Sequence, residues 1–347
     1  MQVIKPERLR EGDTVAIVSP SAGAPEKYPN IYEHGLSMLK KHLGVEIKEY
    51  STARKSNDYL YTHPRERAED INKAFADKDV KAIISSIGGD DSIRILDYLD
   101  MKTIKNNPKI IMGFSDSTTF LDYIHLKTGL ITYYGPSIMA GFSQIERFPK
   151  SFFDMTKNLL FEPTKKYKYH SFPFWSSGYP DWAEKSNIGK INKKHRNDGW
   201  HWLQGNGIMK GQLFGGCANV LEFMKGTRFW PKKEFWNEKI LFLETSENKP
   251  LPKVVKSWIR NYGMQGILER ISALLVAIPY GYSTEEKVEM EKGIHSVVCT
   301  EFGLDKIPIV TNMNFGHTDP KFILPIGAMA EVDASKKRFR LLEKSVS

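Results

Sequence analysis

The chain has 347 residues, with 50 Lys and Arg against 41 Asp and Glu, a net charge of +9, and two cysteines. That length exceeds a usual single core and predicts two domains; two cysteines exclude a disulfide framework and suit a reducing, cytoplasmic setting; and no apolar run is long enough for a membrane span or a leader core. The positive charge is spread along the chain, densest at 190–196 and 335–340, and with no recognition motif beside it predicts no nucleic-acid partner.

Residues 1–165 alternate apolar strands with helical patterns. "TVAIVSPSAG" runs as a strand into a turn of small residues, and "IYEHGLSMLKKHLG" has helical spacing with a glycine stop. "VEIKEY" and "KAIISSIGGDDS" are strands flanking the helix "RERAEDINKAFADKD". "KIIMGFSDS" and "LITYYGPS" are strands separated by "TTFLDYIHLKTG". This alternation predicts an α/β fold with a doubly wound parallel sheet, and such sheets bind ligands beyond the carboxyl ends of their strands. Three of those ends carry small or polar residues: Ser19–Gly23, Gly88–Ser92 and Gly113–Ser117.

Residues 166–206 change in composition and show no periodicity. They hold Trp175, Trp182, Trp200 and Trp202, four of seven tryptophans, and that aromatic content argues for a linker that walls the site rather than for disorder. A second, smaller α/β unit spans 207–347. In it "GQLFGGCANVLEFMKGT" reads as a turn into a helix, "KILFLETSE" as a strand ending in acids and hydroxyls, and "ISALLVAIPYG" as a buried strand. "STEEKVEMEKGIHSVVCTEFG" is a helix opened by a capping box, and "IPIVTNMNFGHTDP" is a strand entering a polar turn.

Ser115 sits at a strand-to-helix turn in "GFSDS", near the nucleophile-elbow pattern but with Ser117 where the second glycine would stand. Such a turn exposes the hydroxyl and offers the Asp116 N–H to a developing oxyanion; a helix cap uses the same residues equally well. Of nine histidines, His317 follows a strand directly and is flanked by Gly316, so it is the candidate base. Glu244, closing "ILFLE", is the natural carboxylate to orient it, with Glu247 and Asp319 as competitors. Gly88 and Gly89 let backbone amides approach a ligand, either as the second half of an oxyanion hole or, with Asp90, as a phosphate cradle of a phosphotransferase. The cysteines are far apart and no close histidine pair exists, so no metal site is read; with no Walker loop and no G-x-G-x-x-G, no cofactor is expected. A two-domain binding protein without catalysis remains a further reading of the same pattern.

"GFSDST", "LFLETSE" and "NFGHTDP", in that order and at those distances, resemble the LD-carboxypeptidase family of serine peptidases over nearly the whole chain, and the aromatic linker tilts the resemblance toward its microcin C immunity branch. The resemblance implies a flavodoxin-like N-terminal domain, a smaller C-terminal α/β domain and an active site in the cleft between them. It makes Ser115 the nucleophile, His317 the base and Glu244 its orienting carboxylate, with the Asp116, Gly88 and Gly89 amides as the oxyanion hole. It also implies a homodimer and a small substrate, either an aminoacyl or peptidyl nucleotide or a murein tetrapeptide. An adenine ring needs aromatic faces to stack on, which Trp182, then Trp175 and Trp200, would supply unless they pack the linker onto the domain. Lys249 would meet an anionic group on the substrate.

Overall fold

The computed structural model describes residues 2–347. The first sheet is built from β1 (Thr14–Val18), β2 (Glu46–Glu49), β3 (Val80–Ser85), β4 (Ile110–Gly113) and β5 (Thr132–Tyr134). They are parallel, in the order β5-β4-β3-β1-β2, the doubly wound order with its switch point between β1 and β3. Core strands β1, β3 and β4 are almost wholly buried, as their mostly apolar sequences require, whereas edge strand β2 carries charges of both signs and is largely exposed. The helix Pro29–Leu43 stops at Gly44, whose φ of 64° is the left-handed cap expected of that glycine.

The segment 166–206 is not without structure. It forms β6 (Phe174–Ser177), β7 (His195–Arg196) and β8 (His201–Gln204), whose mixed aromatic and polar residues show no period. The second sheet contains β9 (Ile208–Cys217), β10 (Lys239–Glu244), β11 (Ala273–Ala277) and β12 (Ile309–Met313), all parallel, with β8 antiparallel on β12. β9 corrects the reading of "GQLFGGC" as a turn. A Cβ at Gly211 or Gly215 would collide with the backbone of Glu238 or Phe242, so these glycines permit close strand approach rather than chain reversal. Ser283 opens the helix Thr284–His295 with the expected capping box to Glu286.

After β12 the chain makes β13 (Thr318–Asp319), which pairs with β6, and β14 (Leu324–Ile326), which crosses to β5 and completes the first sheet. β15 (Met329–Asp333) and β16 (Arg338–Leu341) then return to the second sheet beside β9. Of the basic run 335–340, Lys336 and Lys337 stay exposed, while Arg338 and Arg340 are half-buried and pair with Glu331, and Arg338 also with Asp333. Among the described residues no helix is long and apolar enough to cross a membrane.

Candidate active site

The three strand-end turns read from the sequence meet. Asp116 ties them together: its carboxylate accepts from the Ser21 hydroxyl at 2.5 Å and from the Ser92 N–H at 2.8 Å, while its carbonyl accepts from the Ser92 hydroxyl. Arg67, fully buried, adds a strut by donating to Asp91 and to the Pro20 carbonyl.

Ser115 follows β4 with φ of 60°, a left-handed conformation that costs a non-glycine residue about 1–3 kcal/mol. Its hydroxyl does not cap the helix Thr118–Thr128, whose first residue uses its own Oγ1 to donate to the Ser115 carbonyl. The Ser115 hydroxyl instead lies 3.1 Å from Nε2 of His317. Nδ1 of the same ring is 2.7 Å from Oε2 of Glu244, and the other carboxylate oxygen, Oε1, accepts from Tyr134 at 2.5 Å. Tyr134 in turn accepts the Ser115 N–H at 3.1 Å. Glu244 is 1% exposed and His317 9%. Gly316 precedes the imidazole at φ of 80°, and a Cβ there would sit 2.5 Å from the Glu244 carboxylate; the flanking glycine is what lets histidine and glutamate meet.

Burial disfavours the charged imidazole, but Glu244 and then Glu247 outweigh it and push His317 up to about 9. Glu247, 2.8 Å from Nε2, is held down to about 2, first by its hydrogen bond to His317. Asp319, the third acid weighed as partner, turns away to Lys321 and Tyr179. Cys217, Glu244 and His317 each present one ligand atom within 4.8 Å of the others. Burial, then the Glu244 charge, pushes the Cys217 thiol well above its usual range, so it stays a protonated neighbour and a poor metal ligand.

Ser115, His317 and Glu247 line a cleft of about 460 Å³, with Glu244 behind the imidazole. Gly88 and Gly89 line it with Ser115, and a Cβ on Gly88 would lie 3.2 Å from the Ser115 hydroxyl and 3.4 Å from the Asp116 nitrogen, so the Gly88 backbone sits against the serine turn. Gly88 and Gly89 donate no hydrogen bond within their own turn. A hydroxyl paired to an imidazole and an imidazole paired to a carboxylate, beside a glycine turn, can perform acyl transfer.

Two domain patterns match this architecture: the LD-carboxypeptidase N-terminal domain over residues 15–135 and the C-terminal domain over 210–332. A putative carboxypeptidase of Vibrio cholerae is 30% identical, the match covering 97% of each chain. The chain belongs to the LD-carboxypeptidase family of serine peptidases. The microcin C7 self-immunity protein MccF of Escherichia coli is 28% identical over 98% of this chain and 96% of its own. A solved MccF in complex with aspartyl sulfamoyl adenosine superposes with a TM-score of 0.85 at 26% identity, over 99% of this chain and all of that one. An MccF-like protein from Streptococcus pneumoniae in complex with AMP gives 0.83 at 29% identity, over 95% and 98%.

Family membership removes the phosphotransferase reading, and Asp90, which that reading needed, is exposed and outside the cleft lining. Of the aromatic candidates, Trp182 lines the cleft, its ring 5.7 Å from Tyr28 and 5.1 Å from Tyr179, with an Nε1 that has no partner. Trp175 and Trp200 do not line it. Trp175 stacks on His195 under the Lys287 ammonium, and Trp200 packs edge-on against Phe322 and Phe339. Lys249 lies outside the lining as well, paired with Glu286 at 2.9 Å. The sequence reading missed Tyr134, Tyr28, Tyr179 and Tyr280; tyrosines in apolar strands and polar loops carry no pattern that separates a site wall from core.

Proposed function

We propose that Ser115 is the nucleophile, His317 the general base and acid, and Glu244 the carboxylate that fixes its tautomer, in hydrolysis of an amide-type bond through an acyl-enzyme. The observation that carries this is the left-handed Ser115, whose hydroxyl has the His317 imidazole as its partner rather than a helix cap. His317 takes the hydroxyl proton as Ser115 attacks the carbonyl carbon, then returns it to the leaving nitrogen. Water, deprotonated by the same imidazole, releases the acid. The Asp116, Gly88 and Gly89 amides hold the oxyanion.

The substrate we infer is a small aminoacyl or peptidyl nucleotide. Tyr28, Tyr179 and Trp182 form an aromatic wall suited to a nucleobase, and relatives of the same fold bind aspartyl sulfamoyl adenosine and AMP. Cleavage of a murein tetrapeptide is the second reading, favoured by a probable murein peptide carboxypeptidase of Bacillus subtilis 26% identical over 99% of this chain. It fits less well, because a carboxypeptidase must recognise a terminal carboxylate and no lysine or arginine lines the cleft.

The test is hydrolysis of a series of aminoacyl sulfamoyl adenosines and of a murein tetrapeptide, read by mass spectrometry. Wild type is expected to release the amino acid from the nucleotide series. Ser115→Ala should be inactive with an unchanged melting temperature; turnover by that variant at the wild-type rate sinks the assignment.

A further inference from the structure

His317 Nε2 faces two acceptors. One is the Ser115 hydroxyl at 3.1 Å, and the other is the Glu247 carboxylate at 2.8 Å. With Glu244 on Nδ1, the ring is an imidazolium clamped between two carboxylates, and an imidazolium cannot take a proton from serine. The resting geometry therefore blocks the step the site is built for.

Among the described residues Glu247 pairs with no cation other than His317. Lys249, two residues on, is paired with Glu286, and Lys321 is buried against Asp319. The other ionisable groups lining the cleft, apart from the triad, are Tyr28, Tyr179, Tyr280 and Asp181, none of them cationic. Its side chain is 61% exposed and follows β10 on a loop, so it is free to swing within the cleft mouth. A cation brought by the ligand would replace His317 as its partner. The hydroxyl that attacks and the carboxylate that waits are separated by no more than the two distances above laid end to end. An ammonium one carbon from the attacked carbonyl falls within that reach.

We propose that Glu247 is a specificity-determining residue that selects acyl groups carrying a free ammonium next to the scissile carbonyl, its carboxylate exchanging His317 for that ammonium when substrate binds. No covalent step is added. The Nε2 proton leaves to water, the neutral imidazole turns to Ser115, and Glu247 holds the substrate ammonium. The inference rests on Ser115 and His317 acting as proposed. The elevated basicity of His317 accords with the clamp.

The experiment compares wild type with Glu247→Gln. On an aminoacyl sulfamoyl adenosine and its N-acetylated analogue, wild type should favour the free amine in kcat/KM by about tenfold or more, the scale of one ion pair, and the variant should narrow that to about twofold. The acid limb of kcat/KM should move to lower pH in the variant, because a carboxylate that holds the proton on His317 is gone. Separately, ¹⁵N-imidazole NMR of the resting proteins should show His317 titrating at lower pH in Glu247→Gln. In wild type, alaninamide should lower that midpoint and N-acetylalaninamide should not. An enzyme inert on every nucleotide would overturn the proposed substrate class, while the NMR arm would still decide Glu247. An unmoved midpoint in the variant, an equal response to the two amides, or a preference surviving Glu247→Gln overturns the inference.

Discussion

Tyr134 shows how much of a site can hang on one hydroxyl. It is fully buried on β5, donates to Glu244 and accepts from the backbone of Ser115, so it joins the carboxylate to the serine turn. Burial, then the Glu244 charge, pushes its phenol well above the usual range, so it remains a donor throughout the working pH. Tyr134→Phe should lower kcat about 10- to 100-fold with KM little changed, the scale of a hydrogen bond to a charged group worth ~1.5–3 kcal/mol. Glu244 would then keep more of its negative charge for His317 and hold the imidazolium proton more tightly. The acid limb of kcat/KM should therefore move to higher pH. Steady-state kinetics across pH checks it; a fall in melting temperature with an unmoved limb would make Tyr134 merely structural. Nothing in "LITYYG" distinguishes Tyr134 from Tyr133, because both are buried and a strand covered on both faces has no period. Ser115, Glu244 and His317 stand out for the opposite reason: each is polar at or just beyond the end of a strand, although only the three motifs taken together, and no one of them alone, single these residues out.

At the scale of elements, the turn after β3 and the turn after β4 are matched surfaces. Gly88 faces Ser115 so closely that a Cβ would stand 2.9 Å from the Ser115 Cβ and 3.2 Å from its Oγ. Gly88→Ala must therefore push the β3 turn off the serine, displacing the Gly88 and Gly89 amides from the space beside the hydroxyl. Loss of oxyanion donors costs about 10²–10³ in kcat, and that is the expected fall, with the melting temperature nearly unchanged because the turn is at the cleft and not in the core. A variant with full activity would remove these glycines from the oxyanion site. The βα alternation of the first sheet could be read because β1, β3 and β4 are mostly apolar and helical patterns separate the strands. β9 could not, since the glycines that admit β10 at close range look like a loop, and β6 to β8 mix aromatic and polar residues with no helical pattern between them.

Across the whole molecule, the two sheets are interlocked by the segment that carries His317. It leaves β12 in the second sheet, is braced by β13 on β6, and ends as β14 on β5 in the first. The chain end returns too: the Ser345 carbonyl accepts from Tyr133, and the Ser347 N–H donates to Pro6. A division of the chain at 165 and 206, read from composition, follows sequence order and cannot express a strand lent across it, because non-local pairing leaves no local pattern. Residues 1–165 alone would present β5 as an open apolar edge without β14 and without the C-terminal cover over Tyr133, and an uncovered edge of that kind invites association rather than folding. The full chain should therefore melt in one calorimetric transition with its van't Hoff and calorimetric enthalpies in agreement, while the 1–165 fragment should show no cooperative melt. Two resolved transitions, or a fragment that unfolds cooperatively as a monomer, would mean that β14 merely decorates the first sheet. His317 would then be carried by a lobe free to move from Ser115, whereas a single transition ties the distance between them to the stability of the whole fold.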